Sequence, residues 1–107
     1  MYVKALDNLR RLAHSDHAHS LGERLIGIEK ESLRVAKDGS ISQRPHPRGL
    51  GSALTHSAIT TDYSEALLEI VTPPFADIRE TLGYLCDTHR YIYANLEADE
   101  FLWATSM

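Results

Sequence analysis

The chain has 107 residues, 43% of them hydrophobic and 24% charged, with a formal net charge of −4 and a mean hydropathy of −0.27. That length suits one small domain or a piece of a larger one, and the composition excludes fibrous and disordered classes. Its basic residues form no run, which argues against a nucleic-acid footprint and leaves metal ions and small substrates as partners.

A single cysteine, Cys86, rules out an intrachain disulfide framework or a cysteine-rich zinc module and points to a reducing compartment. No apolar run approaches membrane-spanning length. Charges soon after Met1 break any signal-peptide core, so the cytoplasm is the expected location.

In chain order, Val3, Leu6, Leu9 and Leu12 share one side of a helix over residues 2–13. The segment from His14 to Ser20 reads as a polar link. A strand is expected over 25–35. Lys37-Asp38-Gly39-Ser40 then gives a tight turn, because Asp-Gly supplies the positive φ of a hairpin, and a short return strand over 40–43 would complete it. Pro45, Pro47, Gly49 and Gly51 demand a loop. Residues 59–72 read as one strand closed by Pro73-Pro74. Its Ser64–Glu69 stretch holds good helix formers, but Ile70-Val71-Thr72 tilts it to strand. A helix over 76–98 presents Ile78, Leu82, Leu85, His89, Ile92 and Leu96 as its stripe, with Asp77 and Glu80 at the favourable end of its dipole. The expected class is α+β with antiparallel strands and flanking helices. The apolar close at Phe101-Leu102-Trp103 reads as a chain interrupted rather than finished.

Glu29 and Glu31 are one residue apart, so on a strand they share a face about 6.5–7 Å from one another. Leu33 and Val35 continue that face, with Lys30, Ser32 and Arg34 on the other. The same parity groups Glu65, Leu67, Glu69 and Val71. Such carboxylates repel when packed together, whereas Mg²⁺ ions about 3.5–4 Å apart would take them as ligands. The plainer reading of Glu-x-Glu is the wet face of an exposed strand. Its apolar neighbours count against that.

Three blocks, Gly27–Val35, Leu50–His56 and Ile59–Pro73, resemble the N-terminal part of the bacterial glutamate–cysteine ligase family, and the likeness runs on through His89-Arg90-Tyr91 and Trp103–Met107. The resemblance implies an enzyme of several hundred residues with a glutamine-synthetase-like fold, of which residues 1–107 form an N-terminal part and not a separate domain. It implies ATP-dependent joining of the L-glutamate γ-carboxylate to the amine of L-cysteine through a γ-glutamyl phosphate, the first step of glutathione synthesis. Mg²⁺, or Mn²⁺ in its place, would be the cofactor.

By position, Glu29, Glu31, Asp62 and Glu69 match the family's magnesium ligands. Asp62 lies an odd seven residues from Glu69, so an unbroken strand would turn it away, and a bulge near residues 63–65 is needed. Glu65 is expected beside the ligands without being one. Arg34 is a candidate contact for phosphate or a substrate carboxylate, against the plainer reading of a partnered surface arginine. His14, His17 and His19 are read as linker before metal site, His56 as site-lining or loop, His89 as a hydrogen-bonded core histidine, and Cys86 as a small buried hydrophobe. The alternative from another class is a non-catalytic module binding Mg²⁺ or a Mg-nucleotide, and a third is a product that folds only in part.

Overall fold

The computed structural model describes residues 2–105. Helix α1 spans Tyr2–Ala13, as its periodicity requires, yet buries none of its residues, and Val3, Leu6 and Leu9 lie exposed along it. Strand β1 (Glu29–Ala36) follows, then a 3₁₀ turn at Arg48–Leu50, strands β2 (Ile59–Thr61) and β3 (Leu67–Val71), helix α2 (Ile78–Asn95) and strand β4 (Glu100–Leu102). The strands form one sheet in the order β2-β3-β1-β4, every pair antiparallel.

Three expectations are corrected here. The single strand over 59–72 is a hairpin: β2 stops at Thr61, residues 62–66 reverse the chain, and β3 pairs back with Thr61 opposite Leu68. The return strand over 40–43 reduces to one bridge, Val35 to Ile41, because Pro45 and Pro47 soon carry the chain off the sheet. In addition, β4 pairs with β1 where no strand was expected, Val35 opposite Phe101. The Asp-Gly turn is as read, with Gly39 at φ 82° and Asp38 Oδ1 accepting from Ser40 N–H at 3.0 Å.

α2 starts after its cap: Asp77 Oδ1 accepts from Arg79 N–H at 2.8 Å, so the helix begins at Ile78 and not at residue 76. It lies on the sheet face that carries Ile59, Leu68 and Ile70. Ile92 packs there with Leu50, Ala58 and those three, flanked by Tyr84, Leu85, Leu96 and Leu102. Each such aliphatic side chain stabilises the fold by about 1.5–3 kcal/mol when fully buried. On the opposite face Leu33, Val35, Ala66 and Leu67 form a second apolar cluster, and beyond it at the Glu29 end lie Glu29, Glu31 and Glu69 with Val71 opposite Glu29.

Candidate functional site

β1 and β3 place Glu31 directly opposite Glu69. Cross-strand partners point to the same side with Cβ atoms about 4.5–5.5 Å apart. Glu29 precedes Glu31 by one alternation on the same face, and Thr60 of β2 opposes Glu69 from the other side. Asp62 joins them through the hairpin. Its N–H donates to the carbonyl of Leu67 at 3.2 Å, which extends the β2 ladder, and it follows Thr60 by two residues, so it shares that face. The expected bulge is therefore a full chain reversal, and it mends the parity that an unbroken strand would spoil. Tyr63, at φ 51°, takes the left-handed conformation that a bulky residue rarely adopts, and its N–H donates to Asp62 Oδ1 at 2.9 Å.

Glu69 feels the other three acids. Burial, and then the charges of Glu29, Asp62 and Glu31, hold the Glu69 carboxyl above its ordinary range. None of the ion pairs among the described residues involves these four. The donor set is carboxylate oxygen throughout, which suits a hard divalent cation. Among the described residues no three such side chains are drawn together closely enough to enclose one ion. Like charges at this spacing stand apart, so the face presents an open array of carboxylates and not a closed cage.

The loop before β2 is tied to the same region. Thr60 Oγ1 donates to the Ala53 carbonyl at 2.7 Å, and His56 Nδ1 accepts from the N–H groups of Ala58 and Ile59 at 3.1 and 3.0 Å. His56 is thus a loop-shaping residue.

Arg34 is not exposed. Its side chain is wholly buried, on the opposite face from the acids, with Nη1 2.9 Å from Glu100 Oε1 and 3.2 Å from the Pro45 carbonyl. Nη2 donates to the carbonyls of Arg44 at 2.8 Å and Glu65 at 3.1 Å. Arg34 is thus partnered, as the plainer reading expected, but buried and not on the surface, and its Nη1 and Nη2 bonds go to protein groups and not to a phosphate. Glu65 also leaves the acidic face: it sits in the 62–66 turn, and its carboxylate accepts from His46 N–H at 2.7 Å.

Other expectations change too. Cys86 is exposed, not buried. His89 is half-buried without a hydrogen bond among the described residues, and burial followed by the Lys30 charge lowers its pKa. His14 and His19 bond the nearby carbonyls of Arg10 and Asp16, at 2.7 and 2.8 Å, as a helix-ending link would. Sequence reasoning missed Glu100 and His46, whose partners Arg34 and Glu65 lie 66 and 19 positions away. Among the described residues, no helix is long and apolar enough to cross a membrane.

An antiparallel α+β segment of this shape occurs in solved ligases. The crystal structure of glutamate–cysteine ligase from Francisella tularensis in complex with AMP superposes with a TM-score of 0.76 at 42% identity, over 78% of this chain and 17% of that one. A bifunctional glutathione synthetase from Pasteurella multocida gives 0.75 at 35% identity, over 84% and 13%. The family described as glutamate-cysteine ligase matches residues 9–107, and the chain belongs to that family. Its relatives include the glutamate–cysteine ligase of Alcanivorax borkumensis, 52% identical over 99 residues, and that of Hahella chejuensis, 52% identical over 102. The chain spans about a fifth of these relatives' length, 19% of each, while they match 92% and 95% of it.

Proposed function

We propose that the chain is the N-terminal part of a glutamate–cysteine ligase, one section of a larger glutamine-synthetase-like catalytic domain acting in the cytoplasm. In the proposed reaction an oxygen of the glutamate γ-carboxylate attacks the γ-phosphorus of ATP and ADP leaves. The cysteine amine then attacks the acyl carbon of the γ-glutamyl phosphate, inorganic phosphate departs, and an amide remains. The observation that carries this reading is the gathering of Glu29, Glu31, Asp62 and Glu69 onto one sheet face, in a chain of this family. That the Francisella ligase was solved with AMP supports a nucleotide as co-substrate.

Glu29, Glu31, Asp62 and Glu69 are the proposed holders of Mg²⁺, which when bound supplies positive charge to the ATP phosphates and to the charge that develops during transfer. The protein's own task here is orientation. Two strands fix the spacing of Glu31 and Glu69, and the 62–66 turn sets Asp62 on the same sheet face. Mutual repulsion keeps the face receptive to cations.

In the full-length ligase, Glu29→Gln and Glu69→Gln should each abolish γ-glutamylcysteine formation while leaving circular dichroism unchanged. Near-normal turnover in both would remove them from the metal site. Retained Mg-nucleotide binding with no ligation by the wild type would favour the non-catalytic module instead.

A further inference from the structure

We infer that the buried Arg34–Glu100 pair is a positioning device for the acidic face, acting on Asp62 through the 62–66 turn; the inference rests on the metal reading just proposed. The guanidinium reaches the segments that frame this turn. It bonds Glu65 within the turn, Arg44 and Pro45 in the proline loop, and Glu100 at the start of β4. Its own strand is tied in by main-chain bonds, Arg34 N–H to the Ala66 carbonyl at 2.8 Å and Ser42 N–H to the Arg34 carbonyl at 2.9 Å. Glu100 is held in turn, its Oε1 accepting from Ser42 Oγ and its Oε2 from Glu97 N–H.

The turn needs such a support. It carries Tyr63 in a conformation unfavourable for a bulky side chain, which persists only where the surroundings over-determine it. Glu65 supplies that determination twice, through its carbonyl to Arg34 and its carboxylate to His46 N–H. Asp62 sits three residues before Glu65, at the mouth of the turn, with its own N–H in the ladder to Leu67. A shift of the Glu65 carbonyl therefore passes directly to the Asp62 carboxylate. Lysine cannot substitute, since a single ammonium lacks the planar fork that reaches carbonyls of several segments at once.

The test uses the full-length protein and Mn²⁺ as probe, with free Mn²⁺ read by electron paramagnetic resonance. Arg34→Lys and Glu100→Gln should each weaken Mn²⁺ binding roughly 10–100-fold, the usual cost of losing a group that orients a metal ligand. Combining Arg34→Lys with Asp62→Asn should weaken binding no further than Asp62→Asn alone. With Glu29→Gln, remote from the turn, the two factors should multiply. Multiplication with Asp62→Asn as well would reveal general softening and overturn the proposal, as would unchanged affinity in the folded single variants. If Arg34→Lys fails to fold, Glu100→Gln, isosteric and one charge short, carries the same comparison. Unchanged affinity in Asp62→Asn itself would refute the metal reading of Asp62 and the proposal with it. Weakening in Asp62→Asn but not in Arg34→Lys or Glu100→Gln would refute the positioning role alone.

Discussion

Replacing Glu69 by glutamine should stabilise the metal-free chain, the reverse of what removing a half-buried polar side chain usually does. Glu69 faces Glu31 across the β1–β3 ladder and lies among Glu29 and Asp62, with no cation paired to it among the described residues. At about 5 Å, two like charges in a water-like dielectric repel by about 0.8 kcal/mol. That dielectric is the right one here, because Glu29 is exposed and Glu31 and Glu69 only half-buried. Summed over its neighbours and discounted for relaxation, the gain on neutralising Glu69 is about 1 kcal/mol, or roughly 4–8 °C in a domain of this size.

Thermal unfolding in EDTA and in MgCl₂ measures it. The variant should melt higher in EDTA and gain less from Mg²⁺, since a ligand that binds only the folded state raises stability in proportion to its affinity. Added NaCl should narrow the EDTA difference by screening. The wild type should also lose stability as pH rises through the raised Glu69 pKa, because above the ordinary value of 4.5 the folded chain holds that proton more readily than the unfolded chain does. Glu69→Gln should abolish this slope. A lower melting temperature in EDTA with an unchanged Mg²⁺ response would refute the repulsion account.

Ile92→Ala should cost about 2–5 kcal/mol, read as a lower urea midpoint, because Ile92 is fully buried between α2 and the sheet. His89 is kept neutral by burial and by Lys30, so the unfolded chain binds its proton more readily. Stability should therefore fall as pH drops below about 6.5, and His89→Gln should flatten that fall in urea titrations at several pH values. The isolated 107-residue chain should form no γ-glutamylcysteine from glutamate, cysteine and ATP, and turnover by the purified chain would contradict its reading as part of a larger domain.

Periodicity carried the two helices well, since both have stripes at helical spacing and α2 also has an acidic cap. α1 was read to its exact limits even though its stripe meets nothing in the described residues, so pattern alone did that. The hairpin at residues 62–66 was illegible because no glycine marks it. Tyr63 takes the positive φ that Gly or Asn would normally announce, and Ser64-Glu65-Ala66 offers no breaker. Glu29, Glu31 and Glu69 were nonetheless grouped correctly, since each sits within a strand whose parity is intact. Asp62 was grouped through the resemblance, and the chain reversal supplies its physical reason. Arg34 was misjudged because burial of an arginine is a tertiary fact: its partners Glu100, Arg44, Pro45 and Glu65 lie 66, 10, 11 and 31 positions away. β4 is three residues long, too short to show alternation.

The length of the link between β2 and β3 acts as a chemical constraint in its own right. Asp62 and Glu69 meet because the chain doubles back after a fixed number of residues. One residue more would slip the pairing by a single step and send either acid through the sheet to the helix side. Variation in length that the exposed tip at Asp38-Gly39 can absorb without effect would here take a carboxylate off the acidic face while leaving every side chain of the sequence in place.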